Sequence, residues 1–264
     1  LRENGNQTHL YFVPKYDANI PGMTRTVEYG RPYARFKPTQ FMSDLYDSSI
    51  DSRYQAYWRD TWYATTATDK LSVGDTAFYL PKDAWSKAQI DSKNYKVFNP
   101  EFSESLGSDY SKVSNRVFLH LKKFDDVKRA TMNEEKGTRD WVCFRAAEAY
   151  LLAGEAYYRA GDVDNALKYI NTLRRNCAIE GKEKEMEISA SDLSVDFILD
   201  ERARELCGEG KRWYDLKRLG KLIERTDLHN KKAHGNMKPF HELRPIPQSQ
   251  IDRCTNVYPQ NPQW

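Results

Sequence analysis

The stretch Val195–Leu222, VDFILDERARELCGEGKRWYDLKRLGKL, constrains the fold more than any other part of the chain. Val195, Ile198, Leu199 and Leu206 fall at the spacings of an apolar helical face. Gly208 and Gly210 then end that helix, because only glycine enters the left-handed cap conformation without strain. Trp213, Leu216, Leu219 and Ile223 restart the stripe, so the pattern predicts helix, corner, helix. Glu201, Glu205 and Glu209 stand four apart and line one side of the first helix. Like charges at that spacing repel by about 0.2–0.5 kcal/mol per pair. Cations must offset them, and Arg202, Arg204, Lys211 and Arg212 are close in sequence. The row reads either as a metal or acid–base site or as an ion-pair network with arginine forks. A di-metal helix wants Glu-x-x-His, and this helix has no histidine, which favours the ion pairs. The G-x-G at Gly208–Gly210 follows a helix and lacks a third glycine, so it is no dinucleotide loop.

Residues 140–175 supply a second helical pair. RAAEAYLLAGEAYYRAGDVDNALKYINTLRR matches the tetratricopeptide pattern. Gly154, Tyr157, Gly161, Ala166 and Ile170 fall where two helices must cross closely. Gly161-Asp162 is the turn, and Asp162 a natural cap. One such unit cannot bury its own face. It is expected to pack against the Val195–Leu222 pair and against repeats upstream of Leu1. The expected fold is mainly α: tetratricopeptide-like helical pairs forming part of an α-α superhelix, with long loop-rich insertions and a few short strands. Residues 1–138 form the loop-rich, aromatic-rich region and residues 139–264 the helical one.

The first region is less periodic. Pro14, Pro21, Pro32 and Pro38 interrupt residues 1–39, which read as loop with short extended pieces such as HLYFV. Thr39 can cap a helix carrying Phe41, Met42, Leu45 and Tyr46, and Asp51 and Arg53 suggest a local ion pair. YQAYWRDTWY, residues 54–63, alternates aromatic with polar residues, which places Tyr57, Trp62 and Tyr63 on a half-buried strand beside Trp58. Residues 64–104 lack sustained periodicity; insertions of that length in a compact domain are usually functional. VSNRVFLHLKKFDD, residues 113–126, reads as a strand with Val117, Leu119 and Leu121 on one face. GKEKEME, residues 181–187, mixes its signs and reads as an exposed loop.

Composition narrows function chiefly by exclusion. Lys+Arg 41 against Asp+Glu 38 gives a charge of only +3, too balanced for a nucleic-acid face. Cys143, Cys177, Cys207 and Cys254 form no C-x-x-C, and Cys143 and Cys207 read as small buried hydrophobes. His229, His234 and His241 have no ligand spacing and read as a basic surface loop. No nucleophile elbow, H-E-x-x-H or phosphate loop is present, so no enzyme motif and no cofactor is implied. Aromatics at 13%, with 17 Tyr, suit a sugar or peptide surface as well as a core.

ILDERARELCGEGKRWYDLKRLGKL resembles the ERxxELxxEGxRWxDLxR segment of the SusD/RagB family. LRPIP at residues 243–247 and PQNPQW at 259–264 are similar to that family's closing segments, with Gln-Trp where the family ends in Gly-Tyr. The resemblance is dense from about Arg139 onward and implies a C-terminal portion, with the leader, a lipid-carrying cysteine and the first helical repeats upstream. It further implies a non-catalytic lipoprotein of the Gram-negative cell surface. Such a protein captures glycans, or peptides in some members, for a SusC-like TonB-dependent outer-membrane transporter. The candidate ligand residues are Tyr57, Trp58, Arg59, Asp60, Trp62 and Trp85, chosen by composition and position. The alternative is a tetratricopeptide-like scaffold that holds a peptide or partner protein on a concave helical face.

Overall fold

A computed structural model describes residues 5–100 and 116–264. The chain divides into two compact units, one up to Glu209 and one from Gly210 to Trp264. The division falls inside the glycine corner. Among the described residues no helix is long and apolar enough to cross a membrane.

The first unit is built on three helices. The helical pair is α2 (Ala146–Arg159) and α3 (Val163–Asn176); α4 (Val195–Glu205) packs against α2. Asp162 caps α3 by accepting from the Asn165 N–H, and Ser194 caps α4 by accepting from the Phe197 N–H. Leu151, Leu173 and Leu206 bring one residue from each helical segment into a shared core. Ala166, Ile170, Leu193 and Ile198 form a second core beside it.

A short helix, α1 (Arg53–Tyr57), runs directly into strand β1 (Trp58–Arg59). The alternating run of residues 54–63 is therefore a helical turn followed by two short strands, and Tyr57 sits in the helix. Next come β2 (Thr61–Tyr63), β3 (Thr76–Tyr79), β4 (Lys96–Val97) and β5 (His120–Leu121). β2 and β3 are antiparallel, β3 and β4 parallel, and β1 pairs antiparallel with β5 as Trp58 with Leu121 and Arg59 with His120. Residues 113–115 of the expected strand at 113–126 lie outside the described residues. Val117 to Leu121 are all buried, so both faces are covered where alternation was expected, and Lys122–Phe124 turns into a 3₁₀ helix. HLYFV holds one helical turn, Thr8–Tyr11. GKEKEME likewise hides a turn of helix, Glu183–Met186, that buries Met186. Thr39 occupies the cap position of helix Gln40–Asp44 without a side-chain bond. Cys143 is exposed, contrary to its expected burial, because it precedes α2 in the loop.

In the second unit the expected helix after the corner is two, α5 (Arg212–Arg218) and α6 (Leu222–His229). The two closing segments meet there. Prolines deny them a regular ladder, and side-chain amides substitute. Gln260 Nε2 donates to the Ile246 carbonyl at 2.8 Å and its Oε1 accepts from the Ile246 N–H at 2.7 Å. Asn261 Nδ2 donates to the Arg244 carbonyl, and Trp264 Nε1 to that of Leu243.

Close approach of α2 to α3 depends on Gly154. A Cβ there would stand 2.7 Å from Ile170 Cγ1, and Ile170 is fully buried. Alanine in place of glycine gains about 1 kcal/mol of helix propensity, but overpacking costs about 1–3 kcal/mol. Gly154→Val adds bulk and forfeits most of the propensity gain. It should lower stability by about 1–3 kcal/mol in urea unfolding, whereas unchanged stability would show that the crossing is not tight.

Candidate functional site

The carboxylate row is engaged by cations, most of them far away in sequence; Glu201 and Glu205 lie on α4, while Glu209, expected on the same helix, falls in the glycine corner beyond its end. Arg53 Nη1 lies 2.8 Å from Glu201 Oε1 and 3.0 Å from Glu205 Oε2, and its Nη2 lies 2.8 Å from Asp51. Arg174 and Arg204 hold the other oxygen of Glu201. Arg145 bonds Glu205 Oε1 and both oxygens of Glu209, and Lys123 pairs with Glu209. Each of the six glutamate oxygens thus has a cationic donor. Of the four cations close in sequence, Arg204 pairs with the row, at Glu201. Burial pushes Glu201 up, but Arg53, Arg204 and Arg174 together outweigh it and hold the carboxyl below its usual range. Burial acts the same way on Glu205 and Glu209, and again the neighbouring cations win. This is the ion-pair network, and it leaves no carboxylate edge open for proton transfer.

Lys123, Arg145 and Glu209 also form one wall of a cavity of about 270 Å³. His9, Tyr57, Phe124, Asp126, Arg139 and Trp141 line it as well. Lys123 Nζ sits 4.5 Å above the Tyr57 ring, a cation–π contact that fixes both. His9 is buried, and burial followed by the charge of Arg129 holds its imidazole below the ordinary value. Arg139 Nη1 donates to the carbonyls of Lys123 and Asp125.

A line of rings leads to this cavity. Phe124 stacks on Trp141 at 6.0 Å with planes 9° apart, and on Phe12 at 5.2 Å. Phe12 meets Phe36 at 5.3 Å, and Phe36 meets Tyr11 edge-on at 6.0 Å. Trp141 is 46% and Phe36 55% exposed, so the line opens to solvent at both of these rings. Rings at these separations hold one another in place. Flat apolar faces beside polar groups are what a sugar ring can stack on while its hydroxyls find partners.

The residues nominated from sequence are divided by the structure. Tyr57 lines the cavity. Trp85 is half-buried, 5.3 Å from Tyr79, with its backbone held by Asn99. Trp62 is 0% and Trp58 5% exposed, which corrects their expected place on an open ledge. Trp62 stacks on Tyr16 at 4.9 Å, on Phe78 at 5.3 Å and on His120 at 5.6 Å, so the loops close over the indole. Arg59 lies over Tyr29 and Trp62 and pairs with Asp125 at 3.1 Å. Asp60 accepts from the Tyr54 and Thr61 hydroxyls. Trp141, Phe124, Phe12 and Phe36 were not nominated. Phe12 and Phe124 lie in segments read as extended pieces, and nothing in the pattern of any of the four separates a ligand-facing ring from a buried one.

The sequence matches the SusD family over residues 3–264. A SusD-like protein of Formosa agariphila is 34% identical over 215 residues, covering 71% of this chain and 41% of the relative. The starch-binding protein SusD of Bacteroides thetaiotaomicron is 31% identical over 122 residues, 45% of this chain and 20% of that protein. A SusD superfamily protein of the same organism, solved by crystallography, is 28% identical, with a TM-score of 0.42 over 57% of this chain and 33% of that one. In each of these relatives the matched stretch is well under half of the length.

Two outcomes test this assignment of roles. Trp62→Ala should cost about 3–5 kcal/mol in thermal or urea unfolding; a loss under about 1 kcal/mol would return the residue to the surface. The three glutamates have folded pKa values below their unfolded ones. Their contribution is therefore complete above the ordinary carboxylate range, about pH 4–5, and is lost as pH falls through the depressed folded values. Urea midpoints should drop between pH 5 and pH 3. Arg53→Met, which should itself cost about 3–5 kcal/mol, should flatten that drop.

Proposed function

The chain belongs to the SusD family, and on that premise we propose that it is a glycan-binding protein that captures oligosaccharides without cleaving them. The observation that carries the reading is the exposed Trp141 indole, held parallel to Phe124 at the mouth of the cavity. Phe36, Phe12 and Phe124 extend the platform, and the polar cavity wall offers donors and acceptors for hydroxyls. Tyr57 contributes from the cavity, and Trp85 from its half-buried position beside Tyr79. Trp58, Arg59, Asp60 and Trp62 act from beneath by holding the loops.

Binding without chemistry fits the state of the acids. A glycosidase needs one carboxyl kept protonated near neutral pH, which requires a raised pKa. Glu209 at this wall, and Glu205 next to it in the row, are shifted the opposite way. We place the protein at the outer-membrane surface, anchored as a lipoprotein and delivering its ligand to a SusC-like TonB-dependent transporter. Family membership supports this placement.

One feature favours the second reading, a tetratricopeptide-like scaffold for a peptide or partner protein. Tyr150, Leu152 and Tyr157 of α2 are exposed apolar side chains on the helical pair.

Isothermal titration against a glycan panel discriminates between the two. Trp141→Ala should weaken the best ligand by about 2 kcal/mol, roughly thirtyfold, with unfolding changed by no more than about 0.5 kcal/mol. Unaltered affinity, or hydrolysis products in the titration cell, would overturn the proposal.

A further inference from the structure

We infer that the cavity beside Trp141 receives an acidic sugar unit, its carboxylate held by Arg139 while its ring lies on the indole. This rests on the glycan-binding reading and adds the ligand's charge to it. Arg139 Nη1 donates to two carbonyls, those of Lys123 at 3.2 Å and Asp125 at 2.9 Å. Both Nη1 hydrogens are thereby used, and the guanidinium is anchored. Among the described residues no carboxylate pairs with it, and the Nε–Nη2 edge has no described acceptor. That edge is the one that takes a planar carboxylate through two parallel hydrogen bonds. The residue is exposed and lines the cavity two positions before Trp141.

The other charges around the cavity are already spoken for. Lys123 and Arg145 are committed to Glu209, and Arg145 also to Glu205. The bonded cluster behind them has five cations, Arg53, Lys123, Arg145, Arg174 and Arg204, against the four carboxylates Asp51, Glu201, Glu205 and Glu209. Of the charged side chains that line the cavity, Lys123, Arg139 and Arg145 stand against Asp126, Asp140 and Glu209. Asp126 accepts from the backbone of Thr138 and Lys128 and from the Thr138 hydroxyl, which spreads its charge. Asp140 also lines the cavity and opposes an anion, so removing its charge should help one. At about 270 Å³ the cavity is near the small end of ligand pockets, about 300–1,000 Å³, and suits one ring better than a chain.

The test is titration of the full chain with oligomers of galacturonate, glucuronate and guluronate, each beside its carboxyl-reduced, neutral counterpart. At least one acid oligomer should bind about tenfold or more tighter than its reduced form, as expected for a charge-assisted pair. Arg139→Gln should collapse that ratio toward one. Arg139→Lys, which keeps the charge but loses the fork, should fall between, and Asp140→Asn should widen the ratio. Added salt should shrink the ratio in the wild type. Equal binding of acid and reduced oligomers, or a ratio that survives Arg139→Gln, would sink the inference and leave the glycan reading standing. Oligomers that bind but are indifferent to Trp141→Ala would sink the platform instead, and binding of none of them, while another glycan of the panel binds, would sink the inference alone.

Discussion

Arg53 is the side chain on which the first unit converges. Its guanidinium is 2% exposed and touches Asp51, Glu201 and Glu205 at once, across up to 152 positions of sequence. A buried charge left alone is far more costly than a buried pair is stabilising. The arrangement is therefore close to all-or-none. The turn at Asp51 must reach α4, and α4 must present Glu201 and Glu205 on one side. Arg174 from α3 and Arg145 ahead of α2 must arrive on the same row. A hydrophobic core tolerates sliding by a fraction of a side chain; a fork with three carboxylates does not. The network fixes the register of loops against helices, which apolar burial alone would leave loose.

The same row shapes the cavity. Lys123 reaches Glu209 and the Glu205 carbonyl from the segment that also carries Phe124. Arg145 closes on Glu209 just after the segment that carries Trp141. The two platform rings are thus tethered on either side of one glutamate. Gly208 makes room for them: a Cβ there would stand 2.6 Å from both Leu121 and Phe124, and its φ of +77° is in any case a glycine conformation. A platform held this way loses little freedom when a ligand lands on it, and preorganisation of that kind is where a shallow site finds affinity.

What the sequence made legible follows from the range of the interactions. The helical pair, its Asp162 cap, the glycine corner and the carboxylate spacing are all set by neighbours within about one or two turns, and they are where the pattern put them. The partners of the carboxylates are not local. Arg202, Lys211 and Arg212 looked nearest, yet Arg53, Arg145 and Arg174 hold the row from elsewhere. The aromatics fail for the same reason. Trp62 and Trp141 are equally apolar in sequence, but one is closed between Tyr16, Phe78 and His120 and the other has a ring on one side only. Nothing within a few residues of either decides that. Tyr57 reached the site from a helix instead of the expected strand, because Asp51 and Arg53 turn the chain just before it.

The electrostatics of the row bear on what such a surface can do. Carboxylates held deprotonated by guanidinium groups cannot donate a proton to a leaving oxygen, and with every oxygen bonded they cannot approach an anomeric carbon. Their charge is used inward, to hold loops in place. The cavity itself is lined by rings, the Arg139 guanidinium and the Asp126 and Asp140 carboxylates. On the glycan-binding reading proposed above, such a site would hold its ligand by stacking, hydrogen bonds and the charge of Arg139, with the carboxylate row serving only to keep the loops in place.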